Sequence, residues 1–197
     1  MGSSIIKQAF TEALCRPGGA NLGLERLGIN IWWQGYSGLR FLQMKSKLSY
    51  LKQFESDPDY LIMHAGGNDI GVKECPLFWL IKNLRNHLQI IRECFPNSVL
   101  VWSQILPRTN WRYSQDSVAM EIFRIRLNRA AAKAVLNLGG CYIKHPDLLK
   151  NITQFLRPDG VHLTELGYGI FLNTLQGGLE YFALKRGCVF PSNLQYG

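Results

Sequence analysis

Short apolar runs alternate with longer amphipathic stretches along most of this chain, and this alternation constrains the fold more than any other feature. The runs are rich in β-branched and aromatic residues, which predicts strands. The stretches between them repeat apolar residues every three or four positions, which predicts helices. Strands that alternate with helices form a parallel sheet covered on both faces. We therefore expect a three-layer α/β/α domain.

This domain is expected to cover residues 1–186, and an irregular tail is expected over residues 187–197. Thr164 is predicted to cap the last helix, which would run to about Arg186. The predicted strands cover residues 29–33, 60–63, 99–106 and 141–143, and the earlier helices cover residues 4–14, 38–54, 77–95 and 117–136.

Composition excludes several classes of protein. The apolar content of 47% is enough for a full core, and the charged content of 18% argues against intrinsic disorder. Five cysteines without a CxxC pair argue against a disulfide framework and against a zinc site. This cysteine usage favours a reducing, cytoplasmic compartment. No apolar stretch is long enough to span a bilayer, and the start MGSSIIKQAF lacks signal-peptide architecture.

Four polar segments stand at the positions where an α/β domain builds its site, after strands or at the starts of helices. Each has an ordinary structural interpretation as a turn or a helix cap. Their order along the chain is what points to chemistry. The segments are Gly2-Ser3-Ser4, Gly35-Tyr36-Ser37-Gly38, Gly66-Gly67-Asn68-Asp69 and Asp159-Gly160-Val161-His162.

The last segment is the most informative, because a carboxylate three residues before a histidine can reach the imidazole Nδ1. That contact would fix the tautomer of His162 and leave Nε2 to act as a base. Ser4 at a helix start would lie among backbone N–H groups that favour negative charge. The side-chain amide of Asn68 could stabilise a developing oxyanion. These residues together predict nucleophilic acyl chemistry.

The four segments together resemble the SGNH (GDSL-like) hydrolase family, whose four blocks contribute serine, glycine, asparagine and histidine. The resemblance covers nearly the whole chain and implies a flavodoxin-like parallel sheet. It implies Ser4 as the nucleophile, with Asp159 and His162 as the acid and the base. It also implies an oxyanion hole formed by Gly38 and Asn68, with Gly35 as second choice for the glycine. The implied substrate is a small acyl ester or thioester, hydrolysed without a metal or an organic cofactor.

Two departures from the family pattern favour an alternative, a catalytically degenerate protein of the same fold. The first block reads Gly-Ser-Ser where the family has Gly-Asp-Ser, so Ser3 carries no charge. The family places a central strand directly before this block, whereas only Met1 precedes Gly2 here. We therefore expect the first strand to be missing and Ser4 to be the least firmly held of the catalytic candidates.

A further alternative is a nucleic-acid-associated module. The chain also looks like the esterase-like domains of vertebrate, especially fish, retroelement-derived proteins, and its net charge is +8. Basic residues on one helical face could contact phosphates, and these are Arg126, Arg129 and Lys133. The basic residues are otherwise scattered and no aromatic residues interleave with them, so a solvated basic surface is favoured. The sequence leaves the oligomeric state open.

Overall fold

The computed structural model describes residues 1–192, and within them six α-helices surround a parallel sheet. The strands are β1 (Tyr60–Met63), β2 (Val99–Ser103), β3 (Cys141–Ile143) and β4 (Val189–Phe190). The helices are α1 (Ser4–Leu14), α2 (Met44–Leu51), α3 (Leu77–Cys94), α4 (Ser117–Asn137), α5 (Pro146–Lys150) and α6 (Glu165–Ala183).

The strands lie in the order β1-β2-β3-β4, and each neighbouring pair is parallel. Beyond β1, the chain start occupies the next position in the sheet. Gly2 forms parallel bridges with His64 on one side and with Gly35 on the other. The Met1 ammonium donates to the carbonyl of Ile62 at 2.7 Å, and the N–H of His64 donates to the carbonyl of Met1 at 3.0 Å. Residues 1 and 2 thus extend the parallel pairing of the sheet beyond β1.

The sheet separates two apolar cores because successive strand residues face opposite sides. In β2, Leu100 and Trp102 pack with α2, α3 and α4, while Val101 packs with α1 and α6. The predicted α/β/α layering is therefore confirmed. Among the described residues, none of the helices is both long and apolar enough to cross a membrane.

The strand predicted over residues 29–33 is wrong. Its backbone does not pair with a strand: the N–H of Ile29 donates to the carbonyl of Leu24 at 3.2 Å, and the Oδ1 of Asn21 accepts the N–H of Ile31 at 2.7 Å. Pairing with Gly2 begins only at Gln34 and Gly35. The aromatic run that suggested a core strand also includes Trp32, which is 54% exposed.

The irregular tail predicted over residues 187–197 needs a correction as well. Tyr142 and Lys144 donate their N–H groups to the carbonyls of Cys188 and Phe190, which makes Val189–Phe190 a short fourth strand. Residues 193–197 lie outside the described residues. The helix predicted over residues 38–54 is shortened to a 3₁₀ turn at Phe41–Gln43 followed by α2.

Candidate active site

Ser4 is the first residue of α1 and is held by backbone contacts on both sides. The N–H of Ser3 donates to the carbonyl of His64 at 3.4 Å, and Gly2 bridges the two flanking segments. A Cβ at Gly2 would lie 2.4 Å from that same carbonyl oxygen, so only glycine fits there. The expectation that Ser4 lacks an anchor is therefore wrong, because Met1 and Gly2 are hydrogen-bonded into the sheet.

The turn that carries Asp159 and His162 is closed by its own backbone. Leu156 and Leu163 form an antiparallel bridge, and the N–H of Arg157 donates to the carbonyl of His162 at 2.7 Å. Gly160 allows the chain to reverse here with a φ of +70°, a backbone conformation that residues other than glycine rarely adopt. His162 then stands just before Thr164, whose hydroxyl accepts the N–H of Gly167 and caps α6 as predicted.

Ser4, His162 and Asp159 form one hydrogen-bonded chain. The Oγ of Ser4 lies 2.8 Å from Nε2 of His162, and Nδ1 of His162 lies 2.7 Å from Oδ2 of Asp159. The three residues remain in contact with solvent, since the side chains of His162 and Asp159 are 23% and 48% exposed. This geometry lets the imidazole take the serine proton while the carboxylate holds the ring.

The electrostatics of Asp159 fit a carboxylate that stays ionised. Partial desolvation raises its pKa, but hydrogen bonds outweigh that effect and lower the pKa to about 2. The donors are the backbone N–H and the ring of His162, together with the N–H of Val161. A negative charge next to Nδ1 favours the imidazolium that forms when Ser4 gives up its proton.

Asn68 and Gly38 lie next to each other, joined through one residue. Nδ2 of Asn68 donates to the carbonyl of Leu39 at 3.1 Å, and the N–H of Phe41 donates to Oδ2 of Asp69 at 2.9 Å. Asn68 and Asp69, which follow β1, are thus hydrogen-bonded to the loop that carries Gly38. Within residues 1–192, no hydrogen bond links Asn68 or Gly38 to the chain formed by Ser4, His162 and Asp159.

Asp69 is buried beneath this loop. Its burial raises the pKa to about 6, against the opposing effects of the Phe41 N–H and of the arginines Arg40 and Arg108. A carboxylate at this position therefore acts as an acceptor that fixes the backbone of residues 39–41.

Arg108 is a residue of this region that the sequence did not single out. Its Nη1 donates to Oδ1 of Asn68 at 3.3 Å, and its guanidinium lies over the ring of Trp111 at 5.6 Å. A Cβ at Gly67 would lie 2.5 Å from Nη2 of Arg108, so the glycine makes room for the cation. Arg108 and Gly67 are 41 residues apart in the chain, so their contact is tertiary. No pattern in the sequence around either residue predicts it.

A second polar network lies in the core behind the site. The hydroxyl of Ser103 lies 3.0 Å from Nδ1 of His64 and 2.8 Å from Nε2 of His145. Burial lowers the pKa of His64 to about 3 and that of His145 well below its usual value. Both rings are therefore neutral, and both pack against Phe171.

Arg126, Arg129 and Lys133, the residues of the nucleic-acid alternative, are exposed on α4. Exposure is expected both for a solvated surface and for a phosphate-binding face, so it does not distinguish the two. The nucleic-acid alternative and the retroelement resemblance both stay predictions.

Several solved structures that resemble this chain are named as esterases or lipases. A family 3 carbohydrate esterase from Clostridium thermocellum has a TM-score of 0.69 at 18% identity, covering 94% of this chain and 95% of its own. A GDSL-like lipase from Bacteroides thetaiotaomicron has a TM-score of 0.67 at 17% identity, covering 92% and 86%. A catalytic mutant of an acetylxylan esterase from Geobacillus stearothermophilus has a TM-score of 0.60 at 16% identity, covering 88% and 79%.

At these identities the solved structures establish the fold, and the family follows from the sequence itself. Among curated proteins, no sequence matches the chain significantly. The model of the GDSL-like lipase/acylhydrolase family matches residues 2–170, a stretch that begins at the first block and ends beyond His162. The chain belongs to the GDSL-like lipase/acylhydrolase family.

Proposed function

We propose that this protein is a serine esterase that hydrolyses small acyl esters through an acyl-serine intermediate. The observation that carries the proposal is the unbroken chain from Ser4 Oγ to His162 Nε2 at 2.8 Å and from His162 Nδ1 to Asp159 Oδ2 at 2.7 Å. Each contact is already within hydrogen-bond distance, so proton transfer needs no rearrangement of these side chains.

In the first half-reaction, Ser4 Oγ attacks the ester carbonyl carbon while Nε2 of His162 takes the hydroxyl proton. The carbonyl oxygen gains negative charge, which the Gly38 N–H and the Asn68 amide would stabilise. The C–O bond to the alcohol then breaks, and the imidazolium returns its proton to the departing oxygen. In the second half-reaction, water attacks the acyl-serine with His162 again as base, and the carboxylic acid leaves.

Each of the two oxyanion candidates has an N–H donor that makes no hydrogen bond within residues 1–192. The Asn68 amide has two hydrogens, of which one is given to the carbonyl of Leu39. The N–H of Gly38 makes no hydrogen bond within residues 1–192. Gly38 has a φ of +72°, so the oxyanion role would depend on a backbone conformation that favours glycine.

A short acyl group is favoured by the structural relatives. Two of the structural relatives are named as a carbohydrate esterase and an acetylxylan esterase. We therefore propose acetyl esters as the first substrates to assay.

Fluorophosphonate labelling tests the proposal, because the probe reacts only with an activated serine. We expect labelling of the wild type and none of Ser4→Ala, together with a loss of ester hydrolysis of about 10⁴-fold or more. Ser103→Ala is the matched control, since Ser103 also contacts a histidine at 2.8 Å but is fully buried. It should keep the label and lose about 1–3 kcal/mol of unfolding free energy. A wild type that folds but takes no label would favour the degenerate alternative.

A further inference from the structure

Arg108 is the cation that lies against the candidate oxyanion hole. Its Nη1 donates to Oδ1 of Asn68 at 3.3 Å, and it also lines a small cavity together with Ser3, Gly67 and Val161. Ser4, Asn68 and His162 do not themselves line this cavity, so the hydrogen bond to Asn68 is what places Arg108 beside the site.

The guanidinium of Arg108 has no direct ion-pair partner among the described residues. Within residues 1–192, no carboxylate oxygen lies within 4.0 Å of its guanidinium. Its hydrogen bond to Asn68 uses one neutral oxygen at 3.3 Å, and its face rests on Trp111. Burial lowers its pKa to about 10, with a further lowering by Arg112, so the group stays charged at neutral pH. A guanidinium that is partly removed from water and unpaired is a strong site for an anion.

Further arginines extend the positive charge along the rim. Nη2 of Arg40 donates to the hydroxyl of Tyr113 at 2.9 Å, and Arg40 and Arg112 both lower the pKa of that hydroxyl. Arg40 lies two residues after Gly38, and Arg112 lies four residues after Arg108. Asp69 and Asp159 also act on Arg108 and raise its pKa, but neither carboxylate lies within 4.0 Å of its guanidinium. Arg108 therefore keeps N–H donors that are not paired with a carboxylate within residues 1–192.

We propose that Arg108 binds an anionic group of the substrate, so that the enzyme prefers esters that carry a carboxylate, phosphate or sulfate close to the scissile bond. This inference rests on the proposed esterase function and specifies its substrate class. The planar fork of Arg108 suits two oxygens of such an anion. The anion can belong to the acyl part or to the alcohol part of the ester, and the two sources need separate probes.

Matched pairs of esters that differ only in charge give the test. For the alcohol part, the pair is 3-acetoxybenzoate and its neutral amide, 3-acetoxybenzamide. For the acyl part, the pair is the 4-nitrophenyl monoester of adipic acid and its methyl ester. The measured quantity is the ratio of kcat/KM for the anionic ester to that for the neutral ester. We expect a ratio well above one for the wild type in at least one pair.

In Arg108→Gln, this ratio should fall about tenfold or more, since a charge-assisted hydrogen bond is lost. Arg108→Lys keeps the charge without the fork and should give an intermediate ratio. Arg26→Gln is the control, because Arg26 is exposed, pairs with Glu180 towards the far end of α6, and carries the same charge. It should keep the wild-type ratio and the wild-type activity.

A purely positioning role of Arg108 on Asn68 would lower kcat for both esters of a pair equally, and an unchanged ratio in both pairs would overturn the proposal. If Arg108→Gln fails to fold, the ratio for Arg108→Lys decides: a value equal to wild type in both pairs overturns it. The esterase proposal fails separately, since a wild type without fluorophosphonate labelling and without activity on either neutral ester would not be an esterase at all.

Discussion

Two serine–histidine pairs in this protein have the same separation of 2.8 Å, one between Ser4 Oγ and His162 Nε2 and one between Ser103 Oγ and His145 Nε2. They differ in what surrounds them. His162 has a carboxylate on its other nitrogen and contact with solvent. His145 is 1% exposed, its Nδ1 has no partner within residues 1–192, and Ser103 is also in contact with His64.

The difference teaches that a serine–histidine distance alone does not make a nucleophile. An imidazole that accepts a proton must hold a positive charge, and Asp159 provides the opposite charge beside His162. In the buried network, a proton on His145 would have no such counter-charge and would pay the full cost of desolvation. The buried network can fix the core, whereas the open one can do acid–base chemistry.

Removing the carboxylate should have the largest effect, because it makes the open pair resemble the buried one. Asp159→Asn should lower kcat by about 10⁴-fold while the fold is kept, since an amide oxygen can still accept the N–H groups of Val161 and His162. Asp116→Asn is the control, as Asp116 caps α4 by accepting the N–H of Ala119 and lies outside the site. A nearly unchanged kcat in Asp159→Asn would mean that the carboxylate is not what separates the two pairs.

Substitution of two asparagines, one in the open site and one in the core, tests the same difference between the two regions. Asn68→Ala should lower kcat by about 10²–10³-fold with little loss of stability. Asn128 is buried, and its Oδ1 accepts from the N–H of Ile105 at 2.9 Å and from Nε1 of Trp102 at 3.3 Å. Asn128→Ala should therefore lower the free energy of unfolding by about 1–3 kcal/mol with less effect on kcat. Steady-state kinetics and urea unfolding of both variants separate the two roles, and an unchanged kcat in Asn68→Ala would remove Asn68 from the mechanism.

The last expected effect is on stability at acid pH rather than on catalysis. Burial lowers the pKa of His64 to about 3 from its ordinary value of 6.5, so between those values the unfolded chain binds a proton that the folded chain does not. The stabilisation from the neutral ring is therefore complete above pH 6.5 and is lost as the pH falls towards 3. His64 contributes a slope of about 1.4 kcal/mol per pH unit in this range.

Urea unfolding at several pH values between 7 and 4 measures this slope. Asp69 acts in the opposite direction below pH 6, because its raised pKa lets the folded state bind a proton first. The comparison of wild type with His64→Gln removes that contribution, since Asp69 is present in both. A slope that is the same in the two proteins would mean that His64 is charged in the folded state, and the contrast with the open site would be lost.

The sequence predicted those parts of the molecule whose signals are local. The α1 start at Ser4 and the turn from Asp159 to His162 each depend on residues within a few positions of one another. The strand over residues 29–33 was wrong because strand pairing depends on a distant partner, and Asn21 satisfies the N–H of Ile31 instead. The two-residue strand β4 exists only through backbone groups of β3.

The candidate site shows the same division. Ser4, Asn68, Asp159 and His162 follow from motifs, and their assigned roles stay predictions. Arg108 could not be found from the sequence, because an arginine in a loop after a strand is ordinary until Gly67 and Trp111 are seen to hold it. The link from Ser103 to two histidines is likewise a product of three separate strand ends meeting at one edge of the sheet.

One carbonyl group, that of Gly160, accepts hydrogen bonds from the N–H groups of Thr109 at 3.0 Å and Asn110 at 3.3 Å. A Cβ at Gly160 would lie 2.4 Å from Oγ1 of Thr109, so the loop around Thr109 and the turn around Gly160 are closely packed. The loop that presents Arg108 is thereby fastened to the turn that presents His162. With the roles proposed for Arg108 and His162, substrate preference and proton transfer would not evolve independently. A lineage that reshapes residues 108–110 to accept a new ester would also have to preserve the alignment of His162, which narrows the set of mutational paths open to it.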